Sequence, residues 1–179
     1  MKKTTAYARK RANRVHVVRT YDHWTELAAS PTELLPKDKI AYQLTAMWEG
    51  LAALEKAAEP TTNDWRLCSD AVNLMETLTT RGPWLDCEGN QVDVTDDSGL
   101  LMDAITALAM AGKRHRAGGH IRLDAKGIQA VRAILEDYAA ILQALPARQM
   151  IRAHRLTEQR ISEILTGRSK PHDVEVVDL

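Results

Sequence analysis

Arg148, Arg152 and Arg155 stand at i, i+4 and i+7 in "ARQMIRAHRLTEQR", a spacing that puts three guanidinium groups on one face of a helix, with Gln159 continuing the row. A planar guanidinium donates paired N–H bonds. Such a row therefore suits phosphates, and equally the carboxylates of a partner or of the chain itself. A second cationic group opens the chain: Lys2, Lys3, Arg9, Lys10, Arg11 and Arg14, followed by Arg19, with no acid in residues 1–19. These side chains suit phosphate contact, with Tyr7 stacking on a base; the plainer reading is a solvated tail. A third group, "GKRHRAGGHIR", gathers Lys113, Arg114, Arg116 and Arg122 with His115 and His120 around a glycine pair. It suits an anion held at a helix end, or simply cations facing the negative end of a helix dipole.

The acidic counterpart is "DCEGNQVDVTDD". Asp86, Glu88, Asp93, Asp96 and Asp97 form there a candidate patch facing a basic partner. Asp86, Glu88 and Asn90 alternate like calcium ligands, but Gly89 falls among them and no Glu closes the loop at the required spacing. The histidines form no His-x-x-x-His pair, and the two cysteines, Cys68 and Cys87, make neither a disulfide framework nor a zinc site. Both are expected as reduced thiols, with Cys68 the buried one. No phosphate-binding glycine loop, dinucleotide fingerprint or nucleophile elbow is present. The expectation is a non-enzyme with no metal and no cofactor.

The 24 basic and 24 acidic residues cancel overall, yet they are segregated along the chain. Residues 1–19 carry +7, residues 20–109 carry 5 bases and 16 acids, residues 110–170 carry 12 bases and 5 acids, and the last nine add Asp173, Glu175 and Asp178. A chain of two signs can meet a polyanion with one surface and a basic partner with another, or its own halves can attract each other.

The elements that must position these groups are helical. There is no Phe and only four Trp and four Tyr, so the core must come from Leu, Ile, Val, Ala and Met. Ile40, Leu44, Met47, Leu51 and Leu54 predict a helix over 37–59, with Tyr42 and Trp48 broadening its contact. Thr62 is expected to cap a second helix to about 81, bearing two apolar stripes and therefore central. Residues 83–99 form an acidic loop with a small hairpin around Gly89-Asn90. Asp97 or Ser98 then caps a third helix to 116, and Asp124 a fourth to about Leu145. Pro146 either opens a fifth or kinks a continuous one. The fifth runs to Leu165 with Met150, His154, Thr157, Ile161 and Ile164 on its apolar face. "VHVV" at 15–18 reads as extended chain. "LTEQRISEILTGRSKP" resembles the first helix of a helix-turn-helix, but Pro171 and acids occupy the place of a recognition helix, and the motif is rejected. The fold class is an all-α bundle of four to five mostly antiparallel helices: a basic arm and lead-in over 1–36, the bundle over 37–167, and a polar, acidic tail over 168–179.

Two stretches, "DWRLCSDAVNLMETL" and "TEQRISEILTGRSKPHDVEVV", resemble small helical proteins encoded by proteobacterial phages and prophages. The resemblance spans about Tyr42 to Val177. It implies a context and no chemistry, and no functional residue is carried over. The expected function is a phage or mobile-element binding protein that inhibits a host process, most readily a nucleic-acid-guided defence complex, in the manner of an anti-CRISPR. The alternative is a nucleic-acid-binding regulator using the basic arm and the Arg face of the last helix, and a third reading is a virion protein. A protein partner is expected. Nucleic acid and self-association stay open. No run of apolar residues long enough for a membrane span occurs, and a cytoplasmic location is expected.

Overall fold

The structure, a computed structural model, describes residues 32–167. Five helices pack against one another with one short hairpin, so the chain is an all-α bundle. Helix α1 (Lys37–Lys56) starts at Pro36, whose carbonyl accepts the N–H groups of Lys39 and Ile40. Ile40, Met47, Leu51 and Leu54 face inward, with Leu44 and Trp48 at the margin of the core. Tyr42 does not broaden that contact: it is 80% exposed, because it lies about 200° round the helix from Ile40. The helix stops at Lys56, short of 59, where Ala57 turns extended and Arg122 donates to the Ala57 and Ala58 carbonyls.

Helix α2 (Thr62–Thr80) is capped by Thr61, one residue earlier than expected. The Thr61 hydroxyl accepts the Asp64 N–H at 3.2 Å and the Asp64 carboxylate accepts the Thr61 N–H at 2.7 Å, a reciprocal capping box. Both apolar stripes are used. Trp65, Cys68, Val72 and Met75 are buried alongside Ala71, Leu74 and Leu78, and α2 contacts each of the other four helices.

A hairpin follows, β1 (Trp84–Leu85) and β2 (Gln91–Val92), antiparallel with Trp84 opposite Val92 and Leu85 opposite Gln91. Its turn uses Gly89 at φ 88, a conformation that suits a residue without a Cβ. Trp84 folds the hairpin back onto α2, its indole N–H donating to the Leu78 carbonyl at 2.6 Å.

Helix α3 (Leu101–Arg116) is capped neither by Asp97 nor chiefly by Ser98. The Asp96 carboxylate accepts from Leu100 and Leu101 N–H at 3.2 and 3.0 Å, with the Ser98 hydroxyl sharing the Leu100 donor. The far end closes in a Schellman turn: Gly118, at φ 84, donates to the His115 carbonyl and Gly119 to the Arg114 carbonyl. Helix α4 (Ala125–Ala144) is capped by Asp124 through Gly127 N–H at 2.7 Å and buries Ile128, Val131, Leu135, Tyr138 and Leu142 as their spacing requires. At its end Leu145 is extended and Pro146 becomes the N-cap of α5 (Ala147–Leu165), so the proline separates two helices. The face that α5 buries is Ala147, Met150, Ala153 and Thr157; His154 sits outside it. The lead-in is tied to this junction, Leu34 bridging Pro146 and Ala147 N–H donating to the Glu33 carbonyl at 2.8 Å.

Several polar groups carried into the core find partners, although the buried Ser69 hydroxyl has none. Trp65 donates to the Leu108 carbonyl at 2.8 Å, Gln43 donates to the Tyr138 hydroxyl at 2.7 Å, and the Thr157 hydroxyl meets that of Thr77 at 2.7 Å. Helices α3 and α4 approach closely at Gly127, where an added Cβ would lie 2.7 Å from the Ala107 Cβ. That neighbour is rooted in backbone and cannot swing away. Gly127→Ala is therefore expected to lower stability by about 1–3 kcal/mol, overpacking outweighing the gain of up to ~1 kcal/mol in helix propensity. A urea titration of the two proteins at constant m-value checks it.

Candidate functional site

The order of helices brings one acidic loop and one basic turn to opposite ends of the bundle. The pairings Cys68 with Met47, Trp65 with Leu108 and Gly127 with Ala107 make α1 to α4 successively antiparallel. The end of α3 and the turn after it therefore lie at one end, and the hairpin with the start of α3 at the other. No Lys or Arg occurs in residues 83–112, while Asp86, Glu88, Asp93, Asp96, Asp97 and Asp103 do. The hairpin loop is thus acidic, although Lys37, Lys39, Arg81, Arg148 and Arg152 lie towards the same end, and the opposite end holds Lys113, Arg114, Arg116 and Arg122.

Two of the five acidic patch residues build the loop that carries them. The Asp86 carboxylate accepts from the N–H groups of Glu88 and Asn90, each at 2.8 Å, and from the Asn90 amide at 3.0 Å. These bonds hold its pKa below the ordinary carboxylate range. The carboxylate is thereby committed to the turn. Asp96 caps α3. Glu88, Asp93 and Asp97 are exposed, with Asp93 accepting from the Gln91 amide at 2.9 Å. Among the described residues no three His, Cys, Asp or Glu side chains converge as metal ligands.

Spacing in the sequence did not disclose that Asp137 of α4 lies beside this loop. Burial pushes its pKa up, Asp96 and Asp97 push the same way, and the Ser98 hydroxyl pulls against them. One carboxylate oxygen is buried without a hydrogen bond.

The arginine row of α5 is partly engaged by the chain's own groups. Arg152 stacks on Trp84, 5.0 Å from the ring centroid, and donates to the Pro83 carbonyl at 3.1 Å. Arg155 pairs with Glu158 of its own helix at 3.5 Å, and Arg148 is half-buried near the start of α5. A fourth arginine, outside the row, carries the α2–α5 contact: Arg160 is paired with Glu76 and donates to the Asn73 carbonyl at 3.2 Å. Its one signal in the sequence is Glu76, an acid set between the buried Met75 and Thr77. His154, though exposed on α5, is partly desolvated, which lowers its pKa against the pull of Glu158 and Asp70. Burial raises that of Asp70 against Arg66 and His154.

At the basic end, Arg114 donates to the Arg122 carbonyl and Arg122 to the end of α1, so both fasten the turn at 117–124. Lys113 and Arg116 are exposed in the last turn of α3. Lys2, Lys3, Arg9, Lys10, Arg11 and Arg14 lie outside the described residues.

Where the hairpin strands part, Gly82 and Pro83 on one side and residues 93–95 on the other leave a groove of about 470 Å³ walled by Leu78, Trp84, Val92 and Val94. Cys87 is exposed at the hairpin tip, whereas Cys68 is wholly buried and its thiol is pushed up to about 12 by burial, with Asp64 adding to it.

No protein-family model, curated protein or solved structure matches this chain. Among the described residues no helix is long and apolar enough to cross a membrane.

Two measurements follow from these environments. A thiol reagent at neutral pH should modify one cysteine, Cys87, in the native protein and both in denaturant, since the thiolate is the reactive form. Modification of both thiols in the folded protein would contradict the burial of Cys68. Asp137 is ionised at greater cost in the folded chain than in the unfolded one, so its contribution to stability is full below the ordinary pKa of 3.8 and is lost as pH rises through the folded value. Asp137→Asn should therefore be the more stable protein at pH 7, by less than about 1 kcal/mol for a partly exposed group. The advantage should shrink below pH 3.8, as unfolding curves at the two pH values will show.

Proposed function

We propose that this chain is a non-catalytic binding protein whose acidic end docks on a basic surface of a protein partner. The observation that carries the reading is the exposure of Glu88, Asp93 and Asp97 on the hairpin loop, residues 83–99, which holds no Lys or Arg of its own, while the nearby Arg152 is engaged by Trp84 and Pro83. Excess charge of one sign, concentrated on a rigid end, steers association with a surface of the other sign. The hairpin is rigid for stated reasons: Trp84 is anchored on α2, Asp86 closes the turn, and Asp96 fixes the exit into α3.

Basic surfaces that bind nucleic acid are the most concentrated targets for such an end. The likeness of residues 64–78 and 157–177 to phage-encoded helical proteins adds the finer reading, an inhibitor that occupies the nucleic-acid channel of a host defence complex, anti-CRISPR-like. A regulator that grips nucleic acid through the α5 arginines is the weaker proposal, because Arg152 is spent on Trp84 and Pro83 and Arg155 faces Glu158.

Affinity capture at physiological salt, with the full chain as bait, should recover a protein partner from the host. The triple variant Glu88→Gln, Asp93→Asn, Asp97→Asn should bind that partner roughly tenfold or more weakly, about 1.4 kcal/mol, with a flatter salt dependence. Duplex and single-stranded DNA should bind no more tightly than about 10⁻⁴ M. Tight, salt-steep binding to naked DNA with no protein captured would replace this reading with the regulator.

A further inference from the structure

Helix α3 turns two large apolar side chains to solvent. Met102 is 51% exposed and Met110 49%. Thr106, also exposed, stands midway between them. At about 100° per residue the three fall within roughly 80° of arc, and Lys113 lies on the same stripe. The other side of the helix, with Leu101, Ala104, Leu108 and Ala111, is the side buried in the bundle. The stripe is thus a narrow ridge, about 12 Å from one methionine to the other. Methionine is flexible and polarizable, and suits contact with another apolar surface.

Charge reverses about the same point. Residues 83–105 hold six acids and no Lys or Arg, and residues 107–123 hold four Lys or Arg and no acid. Within α3, Asp103 lies in the first turn and Lys113, Arg114 and Arg116 in the last. The helix dipole favours that order of charges in a single helix, but it does not account for methionines on the exposed side. A surface whose apolar pair is symmetric about Thr106, and whose charge changes sign there, is complementary to the same surface turned end for end. With two copies antiparallel and Thr106 facing its counterpart, Met102 lies level with Met110 of the second copy. Lys113 then lies level with Gly99 of the second copy, two residues from its exposed Asp97. Parallel pairing would set acids against acids. The match is one of whole ends, and it asks no side chain to give up a bond within its own chain.

We infer that two copies of this chain associate through α3, antiparallel about a two-fold axis beside Thr106. Such an interface is isologous and closes at two copies. One helix face per copy places it at the small end of specific interfaces, under about 1,200 Å² in total, so the dimer exchanges with the monomer. The association stands on α3 alone and not on the partner proposed above.

Sedimentation equilibrium of the full chain at low salt, from micromolar to millimolar concentration, should fit a monomer–dimer equilibrium. Met110→Glu should raise the dissociation constant about tenfold or more, with the far-UV circular dichroism unchanged. Asp97→Lys and Lys113→Asp should each weaken the dimer, and the two together should restore it, because each copy then offers the reversed pair. In a Cys87→Ser background, Thr106→Cys treated with copper–phenanthroline should give a covalent dimer, while Thr45→Cys, exposed on α1, should not. A monomer mass at every concentration would overturn the inference and leave the α3 face to a partner of another kind. So would association that Met110→Glu leaves intact. Growth past two copies would also overturn it, since that is the acidic loop of one copy stacking on the basic turn of the next. A monomeric chain can still capture a basic protein and a dimeric one can fail to, so this result and the capture experiment are read separately.

Discussion

Helix α2 is held on every side, and the rest of the molecule is arranged by the need to cover it. A helix with two apolar stripes cannot lie on a surface. Trp65 and Cys68 seat it on α3 and α1, Leu78 receives the Trp84 indole, and Thr77 meets Thr157 of α5. Because the chain contains no Phe, this coverage is achieved by many Leu, Ile, Met and Ala contacts. Among the described residues Trp65, Trp84 and Tyr138 are buried, and each has its polar atom hydrogen-bonded. Loss of the α2 register would thus disturb the hairpin and α5 together, and with them the acidic end.

The charged residues divide into those that build and those that remain at the surface. Asp86, Asp96 and Asp124 close a turn or cap a helix, and Arg114 and Arg122 fasten the turn after α3 to the end of α1. Arg160 and Glu76 cross the α2–α5 contact at low exposure, where removing either partner strands the other. Surface pairs such as Lys126 with Asp103 add little by comparison. What is left at the hairpin end is negative charge on a backbone too well braced to move away from it. That is the property a docking surface needs, and Asp137 shows its cost: a carboxylate held beside Asp96 and Asp97 against its own ionisation.

The helices were legible because their evidence is local. Apolar spacing marked α1 to α4, glycine marked the Schellman turn, and Asp124 marked a cap three residues before the N–H it accepts. The same local logic slipped by one residue at Thr61 and Asp96, where neighbouring residues have equal capping chemistry and only the path of the chain chooses between them. It placed Tyr42 inward on type alone, against the helical period, and it put His154 on the buried face of α5, where small Ala147 and Ala153 are what let that helix sit close to α2.

The sequence by itself determined the all-α class, four to five helical segments, the hairpin turn and the separation of charge along the chain, because each depends on residues a few positions apart. Tertiary structure decided where the charges act. Arg152 meets Trp84, Arg160 meets Glu76, and Asp137 meets the 96–97 loop across separations that no periodicity encodes. Of the three-arginine face, read from spacing as a row aimed at one ligand, Arg152 meets an indole and a carbonyl and Arg155 a neighbouring carboxylate. A guanidinium brought against its own fold takes the nearest acceptor or π face, and which one is nearest is a property of packing.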